Sequence, residues 1–205
     1  MAIRAVPTKG NLIALKKSLV LARTGYELLD KKRNILVREM MTLIDRASEI
    51  QARIDVTYSK AYLALQRANI EMGYIDDIAR TIPEEQSLRL SYRSVMGVEI
   101  PIVTIDTEEQ PRLHYGLQST TPAFDEAYIC FREVKLLTAD LAEVENSVYR
   151  LADAIKKTQK RANALKNIMI PRFEESVKFI SDALEEKDRE EFSRLKVIKN
   201  QKNGK

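Results

Sequence analysis

LIALKKSLVLARTGYELLDKKRNILVREMMTLIDRASEIQARI, residues 12–54, is the stretch whose reading decides the fold. Its apolar stripe runs Leu12, Leu15, Leu19, Ala22, Tyr26, Leu29, then Arg33, then Leu36, Met40, Leu43, Ala47, Ile50 and Ile54. The steps alternate three and four over six heptads, and Arg33 is the single polar member. That alternation is the seam of a coiled coil. Upstream, Thr8 follows Pro7 and is placed to cap the helix start, and no proline intervenes from there to about Arg80. From Ile54 the next apolar step is four, to Tyr58, after which the alternation resumes through Ala61, Leu65, Ala68, Met72 and Ile75. This reads as a stutter that locally relaxes the supercoil. One helix over residues 8–80 spans about 110 Å at ~1.5 Å per residue. No ordinary globular core has that length, so a partner helix is required alongside.

The partner is downstream. Thr121 and Pro122 read as a cap followed by proline at the first helical position. A second seam runs Leu141, Val144, Val148, Leu151, Ile155, Thr158, Ala162, Leu165 and Met169. Pro171 removes one backbone hydrogen bond, but Phe173, Val177, Ile180 and Leu184 restore the rhythm, which predicts a bend and not an end. The polar tail from Lys199 to Lys205 is expected to fray. Between the helices, Leu88, Leu90 and Tyr92 alternate with Arg89, Ser91 and Arg93, and Val98, Ile100, Ile102 and Val103 follow around Pro101. A β-hairpin turning near Met96 and Gly97 fits, with Pro101 marking its second strand as an edge. A loop with Pro111, Gly116 and Ser119 to Thr121 closes the region. The fold class is all-α dominated: a long antiparallel two-helix coiled coil with a short β-hairpin at the connecting end. Its parts are a first helix over 1–81, a connecting region over 82–120 and a second helix over 121–205, expected as one elongated domain.

Charge supports the pairing. A fold-back near residue 101 brings Lys16 and Lys17 near Glu185 and Glu186, and Lys31, Lys32 and Arg33 near Glu174 and Glu175. Such exposed pairs stabilise by only about 0–1 kcal/mol each. They set register.

Composition narrows the function. The chain has 205 residues, 44% hydrophobic and 31% charged, with six Gly, six Pro, no Trp and a net charge of +4. That is a helix-rich, surface-heavy chain, unlike an α/β enzyme built on glycine turns. None of its glycines lies in a GxxxxGK[ST] or GxGxxG phosphate loop. His114 and Cys130 are the only residues of their kinds, so no metal set is expected, and Cys130 between Ile129 and Phe131 reads as a packed thiol. The carboxylates of EEKDREE, residues 185–191, read as a solvated helix face. Lys156, Lys157, Lys160, Arg161, Lys166 and Arg172 form a run without acidic residues, yet no aromatic side chain interleaves it. Nucleic acid is therefore disfavoured as a partner, and a protein-facing or solvated surface fits better. One cysteine excludes an internal disulfide, no run reaches the ~18 apolar residues of a membrane span, and no secretion signal opens the sequence. A cytoplasmic protein without membrane insertion, catalytic residues or cofactor is expected.

Two stretches then resemble a known family. VPTKGNLIALKKSLVLARTGYELLDKKRNIL, residues 6–36, is similar to the opening of the D subunits of V-type and archaeal-type ATPases, through Leu15, Lys16, Leu19, Ala22, Gly25, Leu28, Leu29, Lys32 and Arg33. RANALKNIMIPRFEESVKFISDALEEKDREEFSRLKVIK, residues 161–199, resembles their closing segment, through Asn163, Ala164 and Leu165, Ile170 and Pro171, and the run Arg189, Glu190, Glu191, Phe192, Arg194, Leu195 and Lys196. Asp30, Ala162 and Lys166 stand where that pattern has a basic residue, Val and Glu. The resemblance implies a non-catalytic central-stalk shaft. Its termini insert into a ring of alternating catalytic A and regulatory B subunits, and a small F subunit binds beside the coiled coil. The β-containing end seats in a funnel-shaped partner (the C or d subunit) above the membrane rotor ring. On that basis Arg4, Lys9, Lys16, Arg194, Lys196 and Lys199 are the expected contacts to the ring, and Arg33 and Pro171 the expected sources of asymmetry. Leu90, Tyr92, Met96 and Ile100 are the expected contacts of the hairpin. A stand-alone coiled-coil scaffold is the rival; it shares the seam without needing both terminal motifs.

Overall fold

The computed structural model describes residues 6–105 and 115–203, without the side chains of Ser119 and Asn203. Helix α1 spans Lys9–Met72, the one-turn α2 Asp76–Ala79, strands β1 and β2 Leu88–Val95 and Val98–Ile105, and α3 Pro122–Ala164. A π turn, Leu165–Met169, joins α3 to α4, Ile170–Asn203. The chain divides into two compact units: residues 35–155, and the two chain ends (residues up to 34 and from 156).

Local chemistry sets the helix limits. Asn11 donates its backbone N–H to Thr8 Oγ1 at 3.2 Å, the expected cap. At the other end α1 stops at Met72 instead of running to residue 80. Gly73 adopts φ +80°, a left-handed conformation that glycine takes without a Cβ penalty, and its N–H returns to Asn69 O at 3.0 Å. Pro122 does open α3, although the Thr121 hydroxyl makes no hydrogen bond.

In the unit formed by residues 35–155, α1 and α3 run antiparallel along the expected seam. Leu36, Leu43, Ile50 and Ile54 pack with Leu137, Val144 and Leu151. Below Ile54 the expected stutter is absent. Thr57 and Ala64 are buried, so the alternation continues through Ile54, Thr57, Ala61, Ala64 and Ala68. The Thr57 hydroxyl donates to Arg53 O at 2.8 Å within its own helix, which lets a polar residue hold a seam position. Ser147 does the same on α3, donating to Glu143 O at 2.7 Å, and it is more deeply buried than the expected Val148. The α3 seam also begins earlier than Leu141, at Phe124, Ala127, Val134 and Leu137.

The hairpin turns at Met96 and Gly97, both at positive φ (51° and 77°), a geometry that matches the twist of paired strands. Ile100 is 1% exposed and joins the Leu36–Leu151 core, with Val95 and Val98 packed against it. Arg93 pairs with Glu39 at 2.9 Å. The outer edge of β2 is closed by α3: Glu143 accepts the Val103 N–H at 2.7 Å, and Arg150 donates to Glu99 O at 3.3 Å. Arg150 also lies over the Tyr92 ring, 5.5 Å from its centroid.

A second cluster closes the far end of this unit. Tyr115 meets Phe124 edge-on at 4.8 Å and packs with Ala68 and Ile75. Its hydroxyl donates to Asp125 at 2.7 Å, and burial, then Asp125, pushes the phenol well above its usual range. Glu85, in the connection before β1, is clasped by Lys135 of α3. The Lys135 hydrogen bond, followed by the Ser87 hydroxyl and N–H, holds the Glu85 carboxyl down at about 2, against an ordinary 4.5. A depressed folded value means that the clasp contributes fully above about pH 4.5 and is lost as pH falls toward 2. Thermal unfolding followed through that window is expected to show Glu85→Gln less acid-sensitive than the parent chain. Parallel curves would remove the clasp from the account.

In the unit formed by the chain ends, the helices are again antiparallel. Arg23 bonds Glu174 at 2.6 Å and Lys9 lies 3.9 Å from Asp188. Glu174 thus meets Arg23, and not Lys31, Lys32 or Arg33 as expected; the fold-back lies earlier in the chain than residue 101, which slides every pairing. Beside Pro171, where a bend is expected, the helix carries a π turn, in which the Ile170 N–H reaches back to Leu165 O. Helical dihedrals at Ala164 and Ile170 show that the helix does not end. The π turn takes in one residue more than an α turn. Met169 is therefore 39% exposed instead of lying in the seam, and the partly buried Ile170 takes its place before Phe173, Val177 and Ile180. The tail expected to fray is helical to Asn203.

Candidate interaction surfaces

Among the described residues no group of three or more His, Cys, Asp or Glu side chains is placed to hold a metal, and no helix is long and apolar enough to cross a membrane. Cys130 is half-buried, and His114 lies outside the described residues. What the structure offers is surface.

The largest such surface is the end of α4. Every residue described from Glu185 to Lys202 is exposed, including Phe192, Leu195, Val197 and Ile198. Phe192, Leu195 and Ile198 recur every three residues and share one helix face, with Phe192 71% exposed. An apolar face on a helix without a packing neighbour among the described residues is an interaction site in waiting. On α1, Ile13, Val20 and Leu28 form a similar exposed row outside the seam. Sequence reading nominated basic residues here and passed over these apolar ones. Of the nominated cations, Lys16, Lys196 and Lys199 are exposed. Lys9 and Arg194 lie 3.9 Å from Asp188 and Glu190 within the chain. Arg4 lies outside the described residues.

Arg33 sits in a polar knot within the same unit. Its guanidinium bonds Asp30 at 2.6 Å, Gln159 Oε1 at 2.7 Å and Asn34 Oδ1 at 3.2 Å, and Gln159 in turn donates to Asn163 Oδ1 at 2.8 Å. Asp30, at a position where the family resemblance leads one to expect a basic residue, is the countercharge that makes a half-buried arginine tolerable. Five polar side chains from α1 and α3 thus interrupt the apolar seam shortly before the π turn and Pro171. Gly25 stands against this region as well: a Cβ there would meet Leu165 Cδ1 at 3.8 Å, an ordinary contact.

The hairpin supplies the third surface, in the unit of residues 35–155. Leu90, Tyr92 and Met96 are exposed, Leu90 and Tyr92 on one face of β1. Ile100 belongs on the other face, in the core, and is closed to a partner in this arrangement.

Comparison with known proteins follows the same lines. Residues 11–200 match the family model of the ATP synthase D subunit. The V-type ATP synthase D subunit of Thermotoga neapolitana is 46% identical over 195 residues, covering 94% of this chain and 96% of the relative. The A-type ATP synthase D subunit of Thermococcus sibiricus is 34% identical over 201 residues, covering 96% and 94%. That of Methanobrevibacter smithii is 36% identical over 197 residues, covering 94% and 85%.

Proposed function

The chain belongs to the family of ATP synthase D subunits, and from that membership and the surfaces above we propose that it is the non-catalytic central shaft of a V/A-type rotary ATPase. On this reading it couples ATP hydrolysis or synthesis in the head to proton or sodium movement across the membrane, from the cytoplasmic side. The observation that carries the reading is the end of α4, a helix exposed on all sides over residues 185–202 with Phe192, Leu195 and Ile198 in one row. A helix of that kind is stable in company, and a ring of catalytic A and regulatory B subunits enclosing it supplies the company.

The remaining parts find roles on the same reading. A two-helix seam resists twist better than one helix, because torsion must shear interlocked side chains. Arg33 with its knot and Pro171 with its π turn break the regularity of the pair, so that three ring interfaces meet three different surfaces. Lys16, Lys196 and Lys199 meet carboxylates on the ring wall. Leu90, Tyr92 and Met96 of the hairpin contact the small F subunit or the adjoining head, and the connecting region 82–120 seats in the funnel-shaped partner.

Co-purification with the A and B subunits of the same organism, followed by ATPase assays with and without the chain, tests the proposal. One copy per hexamer and an altered turnover are expected. A chain that stays outside the ring and leaves turnover untouched returns the reading to a stand-alone coiled-coil scaffold.

A further inference from the structure

Charge along the unit of the chain ends is banded, and the bands differ in whether the chain answers them. Residues 174–191 of α4 hold eight carboxylates and three cations. Facing them, α1 carries Lys9, Lys16, Lys17 and Arg23 with no acidic residue, and the pairs Lys9–Asp188 and Arg23–Glu174 are formed. By count that acidic band is balanced from within, eight carboxylates against seven cations. The adjoining band is not. Residues 27–34 together with 156–172 hold nine cations against two carboxylates, in a chain whose net charge is only +4. Of the nine, Arg33 is held by Asp30 and Gln159, Lys157 has a partner within the chain, and Lys166 lies over the Tyr26 ring at 5.7 Å.

Lys31, Lys156, Lys160, Arg161 and Arg172 are exposed, and no carboxylate lies within ion-pair distance of them among the described residues. Lys156 and Lys160 fall on the side of α3 away from the seam residues Thr158 and Ala162, and Arg161 flanks the seam. Like charges three or four residues apart on a helix, such as Lys156 and Lys160, repel and destabilise it.

We propose that this basic band is an interaction surface for a carboxylate-lined protein wall, the inner rim of the ATPase head at the level of the Arg33 knot. The proposal rests on the shaft reading and adds to it the chemistry of one contact level. Lysine ammoniums on long, mobile stems attract such a wall without fixing a single geometry. The band therefore draws the shaft in and centres it while contributing little preference for one rotational angle; that preference is left to the packed apolar rows. Nucleic acid is the disfavoured occupant, since no aromatic residue falls within 156–172 and the nearby Tyr26 ring is covered by Lys166.

The test measures association of the full chain with the isolated A–B ring across sodium chloride concentration, for the parent chain and for the variant Lys156→Gln, Lys160→Gln, Arg161→Gln. At about 50 mM salt the variant is expected to bind roughly tenfold more weakly, mainly through a slower on-rate, and at about 500 mM the difference should nearly vanish. Alone, the variant should melt no lower than the parent, because it relieves repulsion; Lys156→Arg with Lys160→Arg should restore binding. A variant that keeps parental affinity at every salt concentration overturns the proposal, and so does one that is weakened equally at all of them. Tighter binding of a DNA duplex than of the ring by the parent chain would overturn it in favour of nucleic acid. Failure of the parent chain itself to enter the ring removes the shaft reading and this inference with it, a result distinct from entry without a salt-dependent gap.

Discussion

Leu151→Ala is expected to destabilise the chain by about 2–5 kcal/mol, the range for truncating a fully buried leucine. Leu151 is 0% exposed and shares its cluster with Leu36 of α1 and Ile100 of β2. One side chain thus ties two helices and the hairpin, and the cavity left by its truncation is lined by three elements that cannot all collapse into it. Urea unfolding followed by circular dichroism reads the loss as a lower midpoint with an unchanged slope. Leu195→Ala is the control. Leu195 is 64% exposed, so the same truncation should move the stability of the chain alone by less than about 0.5 kcal/mol while weakening entry into the ring. A Leu151→Ala chain as stable as the parent would mean that the helices do not pack at that level.

The seam that places Leu151 was legible because a three-four alternation sustained over residues 12–54 has few physical readings. The hairpin was legible for a related reason: strand alternation broken by Gly97 leaves only a turn. Other features were invisible to a scan for apolar residues. Thr57 and Ser147 occupy seam positions because each hydroxyl bonds its own helix four residues back, a local satisfaction that leaves no mark in polarity. Gly73 ended α1, although a glycine inside an apolar rhythm is as often tolerated as obeyed. The pairing of Arg23 with Glu174 depended on how the connection turns, which no property of either helix encodes.

The candidate surfaces were legible in the sequence only where they carry charge. Charge is conspicuous in a sequence, so Lys16, Lys196 and Lys199 were nominated. Phe192, Leu195 and Ile198 are spaced by three, as half of the seam steps are, and spacing cannot tell a row that is covered from one that is bare. Only the absence of a packing neighbour among the described residues separates them, and that is a three-dimensional fact. Ile100 erred in the opposite direction. In a hairpin both faces look alike on paper, and the core took the face that held Ile100.

Pro171 supports the other large prediction. The π turn at Leu165–Met169 and the missing N–H of Pro171 both cost helix stability, about 3 kcal/mol for proline relative to alanine in a helix interior. Pro171→Ala alone should leave the π turn in place, because Ile170, Phe173, Val177 and Ile180 face the seam only when the extra residue is present. Pro171→Ala combined with deletion of Asn167 removes both features and keeps those residues in register, since the step from Leu165 to the isoleucine becomes four. The double change is therefore expected to raise the melting temperature of the isolated chain. If the irregularity serves the shaft, the same change should lower the ions moved per ATP, or the ATPase rate, in the reconstituted complex. A chain that gains stability and loses coupling identifies the π turn as a feature retained for function at the expense of stability. A chain that gains stability with ATPase rate and ion coupling both unchanged assigns the asymmetry elsewhere, to the Arg33 knot or to the bare face of α4.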